Sequence, residues 1–258
     1  MGSLPKKIRT TAILNLVVLA SSGAIAQSLP VFDVASVRMS RNAAGRGSAE
    51  FSLGGERFTA TNTSLGQLIL IAYGITPLQV GPFVPPIYGK YDIQANVEHP
   101  VTRKEVLMML QALLRDRFNL RTHWETRQLP TYALRVNKQE PKLKLSKEQI
   151  PWNLSRLNGN EIKHGQMIFQ SESMQDFASV LSTLVVVGRV VVDETGLTGQ
   201  YDFALNFAPP DGITDFPTNE SAPSIFTAMK EQLGLRLDPR RAPIQFLVIE
   251  HVERASEN

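Results

Sequence analysis

Residues 57–74 read RFTATNTSLGQLILIAYG, and residues 166–184 read QMIFQSESMQDFASVLSTL. Each stretch joins a segment that alternates polar and apolar residues, as a strand does, to a serine followed by apolar residues at helical spacing. Similar segments follow both stretches, GKYDIQANV at 89–97 and GQYDFALNF at 199–207. The offset of about 110 residues is far longer than the repeat of a solenoid protein. We therefore predict one duplicated unit of strands and helices.

The predicted fold class is α+β, with two tandem similar strand-helix-strand-strand-helix-strand units packed side by side. We place the first unit at residues 27–137, a polar linker at 138–165 and the second unit at 166–258. The linker is either exposed or packed as irregular structure on one of the two units. The pattern does not decide between these alternatives.

Several element boundaries follow from capping residues. We expect Ser64 to begin a helix that Gly74 ends, and Thr102 and Ser173 to cap two further helices. The chain between and after these helices predicts separate short strands, which we place at residues 120–125, 131–136, 236–237 and 245–252.

The first 26 residues have the pattern of an export signal. Three basic residues precede a short apolar core at 12–21, and Ala24-Ile25-Ala26 supplies the small residues that a signal peptidase reads. We predict a signal peptide at residues 1–26, cleavage after Ala26 and a periplasmic or secreted protein. The alternative is an uncleaved N-terminal anchor. The core is shorter than the ~20 residues that span a bilayer, so we expect no stable membrane span after cleavage.

Charge and cysteine content exclude several classes of function. The chain has 27 Lys and Arg against 24 Asp and Glu, and three of the basic residues lie in the predicted signal, which leaves 24 against 24. Nucleic-acid-binding proteins usually carry a basic excess, so we predict no nucleic acid partner. Since the chain has no cysteine, it has no thiol nucleophile and no thiolate ligand for zinc or iron–sulfur clusters.

Seven segments of the chain carry a family resemblance. They are FDVASVR, NTSLGQLILIAYG, KYDIQA, LLRDRFNLRTHWETRQLPTYAL, VVVDETGLTGQYDFALNFAP, SIFTAMKEQLGLRL and LVIEHVERASEN. On these segments the chain resembles the exported "soil-associated protein" family of bacteria. The resemblance implies an exported globular protein and implies no particular activity. Two positions depart from the family pattern, Phe83 in place of tryptophan and Ala255 in place of proline.

Residue types shared by both units are expected to serve the fold. Asp92 and Asp202 occupy the matching YDI and YDF segments, and we expect each to cap a turn or accept a hydrogen bond from a backbone amide. Tyr91 and Tyr201 precede them, and we expect both rings to face the core.

The residues found in one unit only are better functional candidates. Asp193 and Glu194 enter a glycine turn without a counterpart in the first unit, and their carboxylates could bind a divalent cation such as calcium. The alternative is a turn in which Asp193 caps the backbone. His123 and His251 each precede a glutamate by two residues, an imidazole–carboxylate spacing that suits a general base. A surface ion pair is the alternative for both.

Standard catalytic signatures are absent from the sequence, including the G-x-S-x-G elbow, H-E-x-x-H and the phosphate-binding loop. We therefore predict an exported binding or interaction protein whose partner is a small molecule or a protein. The competing prediction is a divalent-cation-dependent hydrolase of a small ester or lactone. In that enzyme Asp193 and Glu194 would hold the ion and His123 or His251 would act as the base.

Overall fold

The α+β class is confirmed by a computed structural model of the chain, in which helices pack against three β-sheets. The structure describes residues 30–41, 47–51, 56–81, 89–137, 141–147, 162–163, 166–184, 186–208 and 222–255. The predicted signal peptide at residues 1–26 lies outside these residues. Among the described residues, no helix combines the length and the apolar character needed to cross a bilayer.

The first half of the chain forms an antiparallel sheet with the strand order β1-β4-β3-β2 and two helices. Its elements are β1 (Val34–Met39), β2 (Ser48–Phe51), β3 (Arg57–Ser64), α1 (Leu65–Tyr73), β4 (Lys90–Asn96) and α2 (Arg103–Phe118), followed by the long strand β5 (Arg121–Val136). The predicted caps of both helices are confirmed. The Ser64 side chain accepts from the Gln67 amide, Gly74 is left-handed, and Thr102 begins α2.

The second half forms an antiparallel sheet with the order β6-β10-β8-β7. Its elements are β6 (Lys144–Leu145), β7 (Ile162–Lys163), β8 (Gln166–Ser173), α3 (Met174–Thr183), β9 (Val190–Asp193), β10 (Gln200–Asn206), α4 (Ile225–Ala228) with a π-helical continuation at Met229–Leu233, and β11 (Leu235–His251). Ser173 caps α3 as predicted. The strands β6 and β7 come from the segment predicted as a linker, and they pair with the edges of this sheet.

The same backbone geometry occurs once in each half. Asn62 in β3 and Ser171 in β8 are both left-handed, with φ of 51° and 54°. The amide of Asn62 donates to Asp92 Oδ1 at 2.7 Å, and the amide of Ser171 donates to Asp202 Oδ1 at 2.8 Å. The structural role predicted for the two aspartates is thus confirmed. The duplication of a complete unit stays a prediction.

Two hydrophobic cores lie under the two four-stranded sheets. Tyr91 is 1% exposed in the first core and Tyr201 is 9% exposed in the second, which confirms their predicted positions. The first core also contains Leu247 of β11, and the second contains Leu134 of β5. Each core therefore includes a side chain from the far half of the sequence, and the third sheet supplies it.

The third sheet has the order β11-β5-β9 and connects the two cores. β11 pairs antiparallel with β5 along nearly its whole length, from Leu235 opposite Val136 to His251 opposite Arg121. The prediction of separate short strands was wrong here, because each of the two strands is continuous. β9 pairs with β5 in parallel, over the four pairs that begin with Thr131. We call the pair of β5 and β11 the ribbon.

Candidate functional site

The ribbon contains three prolines that do not interrupt its pairing. Pro130 lies in β5, and Pro239 and Pro243 lie in β11. Pro130 lies opposite Arg241, Pro239 opposite Tyr132 and Pro243 opposite Gln128. In each of these pairs the β5 residue has an even number and the β11 residue an odd number, so all three pairs belong to the same one of the two alternating classes. Antiparallel pairs alternate between hydrogen-bonded and non-hydrogen-bonded, and proline has no N–H to donate. The prolines therefore occupy non-hydrogen-bonded pairs, whose backbone groups point away from the ribbon.

Neighbouring contacts agree with this assignment. Leu247 belongs to the same class of pair, and its carbonyl accepts from the Gly81 amide outside the ribbon at 3.2 Å. On the opposite edge the carbonyl of Leu134 accepts from the Glu194 amide at 2.9 Å. Even-numbered residues of β5 thus direct their N–H and C=O groups away from β11.

One stretch of the outer edge of β5 has no strand beside it. β9 covers β5 only from Thr131 to Leu134, and among the described residues no strand pairs with β5 before that point. Thr122, Trp124 and Thr126 therefore present main-chain donors and acceptors to the outside. We call residues 122–128 the free edge. An unpaired strand edge is a template for the addition of another strand.

The even-numbered side chains of the free edge, Thr122, Trp124, Thr126 and Gln128, are uncharged and exposed or partly exposed. Trp124 is 46% exposed, and its ring contacts Tyr73 edge to face at 5.9 Å between centroids. The Tyr73 hydroxyl lies 2.9 Å from Thr122 Oγ1, which ties the edge to α1. The Gln245 side chain donates to Thr126 Oγ1 at 3.1 Å. An aromatic ring held on an open edge provides apolar contact area beside the main-chain groups.

The opposite face of the same strand carries charges. His123 Nδ1 lies 2.6 Å from Glu250 Oε1, and its Nε2 lies 3.3 Å from Glu125 Oε1. The hydrogen bonds to Glu125 and Glu250 raise the pKa of His123. Arg127 donates to Glu125 Oε2 from Nε and Nη2, and this bond is the main reason why the pKa of Glu125 is lowered. The predicted imidazole–carboxylate pair exists, and it is part of an exposed ion network.

Arg127 is fixed on two sides. Besides its bonds to Glu125, its guanidinium lies 3.7 Å from the centroid of the Phe246 ring on β11. Contacts of this kind limit the rotamers of a long side chain before any partner binds. Glu125 and Arg127 thus form an ordered pair of opposite charges, two residues apart on one face of the free edge.

His251, the second predicted base, forms a separate contact near the same end of the ribbon. Its Nε2 lies 2.7 Å from Glu253 Oε1, and that carboxylate also accepts from the Asn119 amide group at 3.0 Å. The hydrogen bonds from His251 and Asn119 lower the pKa of Glu253. The arrangement joins the end of β11 to the end of α2.

The predicted metal ligands have other partners. Asp193 Oδ1 accepts from the amide and the hydroxyl of Thr195 at 2.9 and 2.8 Å, as expected for a turn in which the aspartate caps the backbone. Glu194 Oε2 accepts from Arg135 at 2.7 Å, and Glu194 Oε1 forms an ion pair with Arg240. The Glu194 carboxylate is also the main cause of the raised pKa of Arg135.

The candidate base and the candidate ligands are not brought together. Asp193 is next to Leu134 in the sheet, 11 positions after His123 on β5, which at about 3.3 Å per residue separates them by roughly 35 Å. Among the described residues, no three His, Asp or Glu side chains converge as a metal site requires. The hydrolase and its cation stay a prediction, without an assembled site in this part of the chain.

The free edge was not found from the sequence. The predicted strand ended at residue 125, so the backbone of residues 126–130 was not expected to be extended. The signal that could have found it is the even spacing of Pro239 and Pro243, which allows both to point out of one continuous strand. Trp124 was a further signal, since a large aromatic residue between polar neighbours on a strand is often exposed for contact.

The model of a protein family described as "protein of unknown function (DUF3738)" matches residues 66–252. The chain belongs to the DUF3738 family. The match begins in α1 and ends just after β11, so the DUF3738 region includes the whole ribbon, the four strands of the second four-stranded sheet and, of the first sheet, β4. No curated protein and no solved structure matches the chain.

Proposed function

We propose that this DUF3738 protein is an exported interaction module that binds an extended polypeptide segment as an added strand on the free edge of β5. Strand addition uses main-chain hydrogen bonds for affinity and alternate side-chain contacts for specificity. The free edge offers both kinds of contact. Its outward main-chain groups lie between Tyr73 and the start of β9, and Trp124 and Thr126 project from it.

The single observation that carries the proposal is the contrast along one strand. From Thr131 to Leu134 the outer edge of β5 is occupied by β9, whereas residues 122–128 have no strand partner among the described residues. An added strand would continue the sheet in line with β9. The exported location is supported by the signal-like pattern of residues 1–26 and by the resemblance to the soil-associated family. The alternative hydrolase gains no support from the described residues, which keep His123 and Asp193 apart.

The proposal can be tested by removing one outward N–H without disturbing the ribbon. Thr126 lies in a non-hydrogen-bonded pair of the ribbon, like the three native prolines, so a proline at this position removes no bond to β11. Thr126→Pro does remove the outward N–H, and it places a ring where an added strand would approach. Thr126→Ala is the matched control, because it also loses the hydroxyl that contacts Gln245 but retains the N–H.

A library of random 12-residue peptides displayed on phage would be selected on the purified wild-type protein. We expect the selected peptides to bind wild type and Thr126→Ala, and to lose at least tenfold in affinity on Thr126→Pro. The melting temperatures of the two variants should agree within a few degrees. If the peptides bind Thr126→Pro as well as wild type, or if no peptide is enriched, strand addition at this edge is refuted.

A further inference from the structure

The charges on the free edge form a self-complementary sequence. Glu125, Thr126 and Arg127 follow one another, and the two charged side chains lie on one face while Thr126 lies on the other. When such a strand meets an identical antiparallel strand with Thr126 on the two-fold axis, Glu125 lies opposite Arg127 of the second copy. The reverse pair forms at the same time. Opposite charges directly across a pair of strands stabilise their association.

The backbone suits the same register. Thr126 directs its N–H and C=O outward, so two copies of Thr126 on the axis exchange both hydrogen bonds. Trp124 then lies opposite Gln128 of the second copy, which is also an outward-directed pair. The pair of Thr126 residues and the two symmetry-related pairs of Trp124 with Gln128 together supply about six main-chain hydrogen bonds across the two-fold axis. The Gln128 carbonyl already accepts from the Arg241 guanidinium at 2.6 Å, but its second lone pair can accept an amide.

Neighbouring registers are worse. With Glu125 on the axis, two carboxylates lie directly opposite each other. With Trp124 on the axis, Arg127 lies opposite Arg121 of the second copy. Like charges in these positions are destabilising. The register centred on Thr126 combines the outward backbone class with two Glu125–Arg127 pairs and places no like charges opposite each other.

We infer that a second copy of this chain is an occupant of the free edge, bound antiparallel about a two-fold axis through Thr126. The inference rests on the proposed function, because it uses the same strand-addition site and names its partner. A closed two-fold contact of this kind is isologous and pairs both free edges with each other. Arg127, already held by Glu125 and Phe246, loses little rotamer freedom when the second strand arrives.

The test is charge reversal followed by sedimentation over a range of protein concentrations. In the Thr126-centred dimer, Glu125→Arg places an arginine at position 125 opposite Arg127 in both symmetry-related pairs. Arg127→Glu places two carboxylates opposite each other in the same two pairs. We expect each single reversal to raise the dimer dissociation constant about tenfold or more. The double variant Glu125→Arg/Arg127→Glu restores both opposite-charge pairs and should dimerise like wild type. An equimolar mixture of the two single variants should form a heterodimer for the same reason.

The outcomes separate the inference from the proposed function. A wild-type protein that stays monomeric, or single reversals that dimerise as well as wild type, would overturn the second-copy inference. Peptides that bind wild type and not Thr126→Pro would still support the interaction module in that case. Melting curves measure whether all variants are folded. We expect them to be folded, because each reversal lies on a partly exposed side chain.

Discussion

The two aspartates that hold left-handed backbone turns provide the sharpest test of the fold. Asp92 and Asp202 each accept the amide of a left-handed residue, Asn62 in one sheet and Ser171 in the other. Asn62 and Ser171 are 5% and 3% exposed. Replacing either aspartate by alanine removes the charged carboxylate that accepts the amide of this buried residue.

The magnitude follows from these contacts. A hydrogen bond to a charged group contributes about 1.5–3 kcal/mol. We therefore expect Asp92→Ala and Asp202→Ala each to lower the free energy of unfolding by about 2 kcal/mol. For a chain of this size that is a fall in melting temperature of about 4–8 °C. Asparagine retains an acceptor oxygen, so Asp92→Asn and Asp202→Asn should lose about half as much.

The assay is thermal unfolding followed by circular dichroism, with Asp116→Ala as the matched control. Asp116 is an exposed aspartate on α2 whose bond to Arg115 is a surface ion pair, worth about 0–1 kcal/mol. Because Asp92 and Asp202 lie in different sheets and share no partner, the double alanine variant should lose about the sum of the two single losses. If either single variant melts within a degree of the control, the proposed role of that carboxylate is refuted.

Three further predictions test other contacts. His123→Ala should lose more stability at pH 5 than at pH 8. Because the pKa of His123 is raised in the folded state, its contribution to stability is complete below its unfolded pKa and is lost as the pH rises through the folded pKa. Thermal unfolding of the variant and wild type at several pH values measures this difference. Tyr91→Phe should raise the free energy of unfolding in urea by about 1 kcal/mol, because the buried Tyr91 hydroxyl has no hydrogen-bond partner among the residues that the structure describes. A lower urea midpoint for the variant would contradict this. Glu194→Gln should lower the free energy of unfolding in urea by about 1 kcal/mol, because it weakens the ion pairs of Glu194 with Arg135 and Arg240. The loss should be smaller in high salt, which screens these charges.

Local features of the fold could be predicted from the sequence, because their causes are local. Ser64 and Ser173 cap helices through bonds to amides within three residues, and Gly74 ends α1 in the left-handed conformation that glycine adopts easily. The pairing of Asp92 and Asp202 with backbone amides could also be expected, because short polar side chains commonly form such bonds.

The ribbon could not be predicted in the same way. Its paired residues lie between 99 positions apart, for Leu235 with Val136 (235 − 136), and 130 positions apart, for His251 with Arg121 (251 − 121), and no local pattern specifies such a partner. The predicted short strands do not include Pro130, Pro239 or Pro243. These prolines are compatible with pairing because only alternate residues donate within an antiparallel ladder, and Pro130, Pro239 and Pro243 all occupy the other positions. The position of the predicted base and metal ligands at opposite ends of the ribbon follows from the same long-range pairing.

The two edges of the ribbon differ in a way that bears on function. Along β11, Pro239 and Pro243 remove outward donors, and residues 79–81 cover the edge near Leu247. Natural sheets protect their edges by these means against unwanted strand pairing. Along β5, by contrast, the protection begins only at Pro130 and continues with β9. Within the described part of the chain, no strand pairs with residues 122–128, where the Gln128 carbonyl accepts from the Arg241 guanidinium and Tyr73 contacts Thr122 and Trp124. The strand addition proposed for residues 122–128 would therefore use an edge that, in the described part of the chain, lacks the prolines and the bridging segment found along β11.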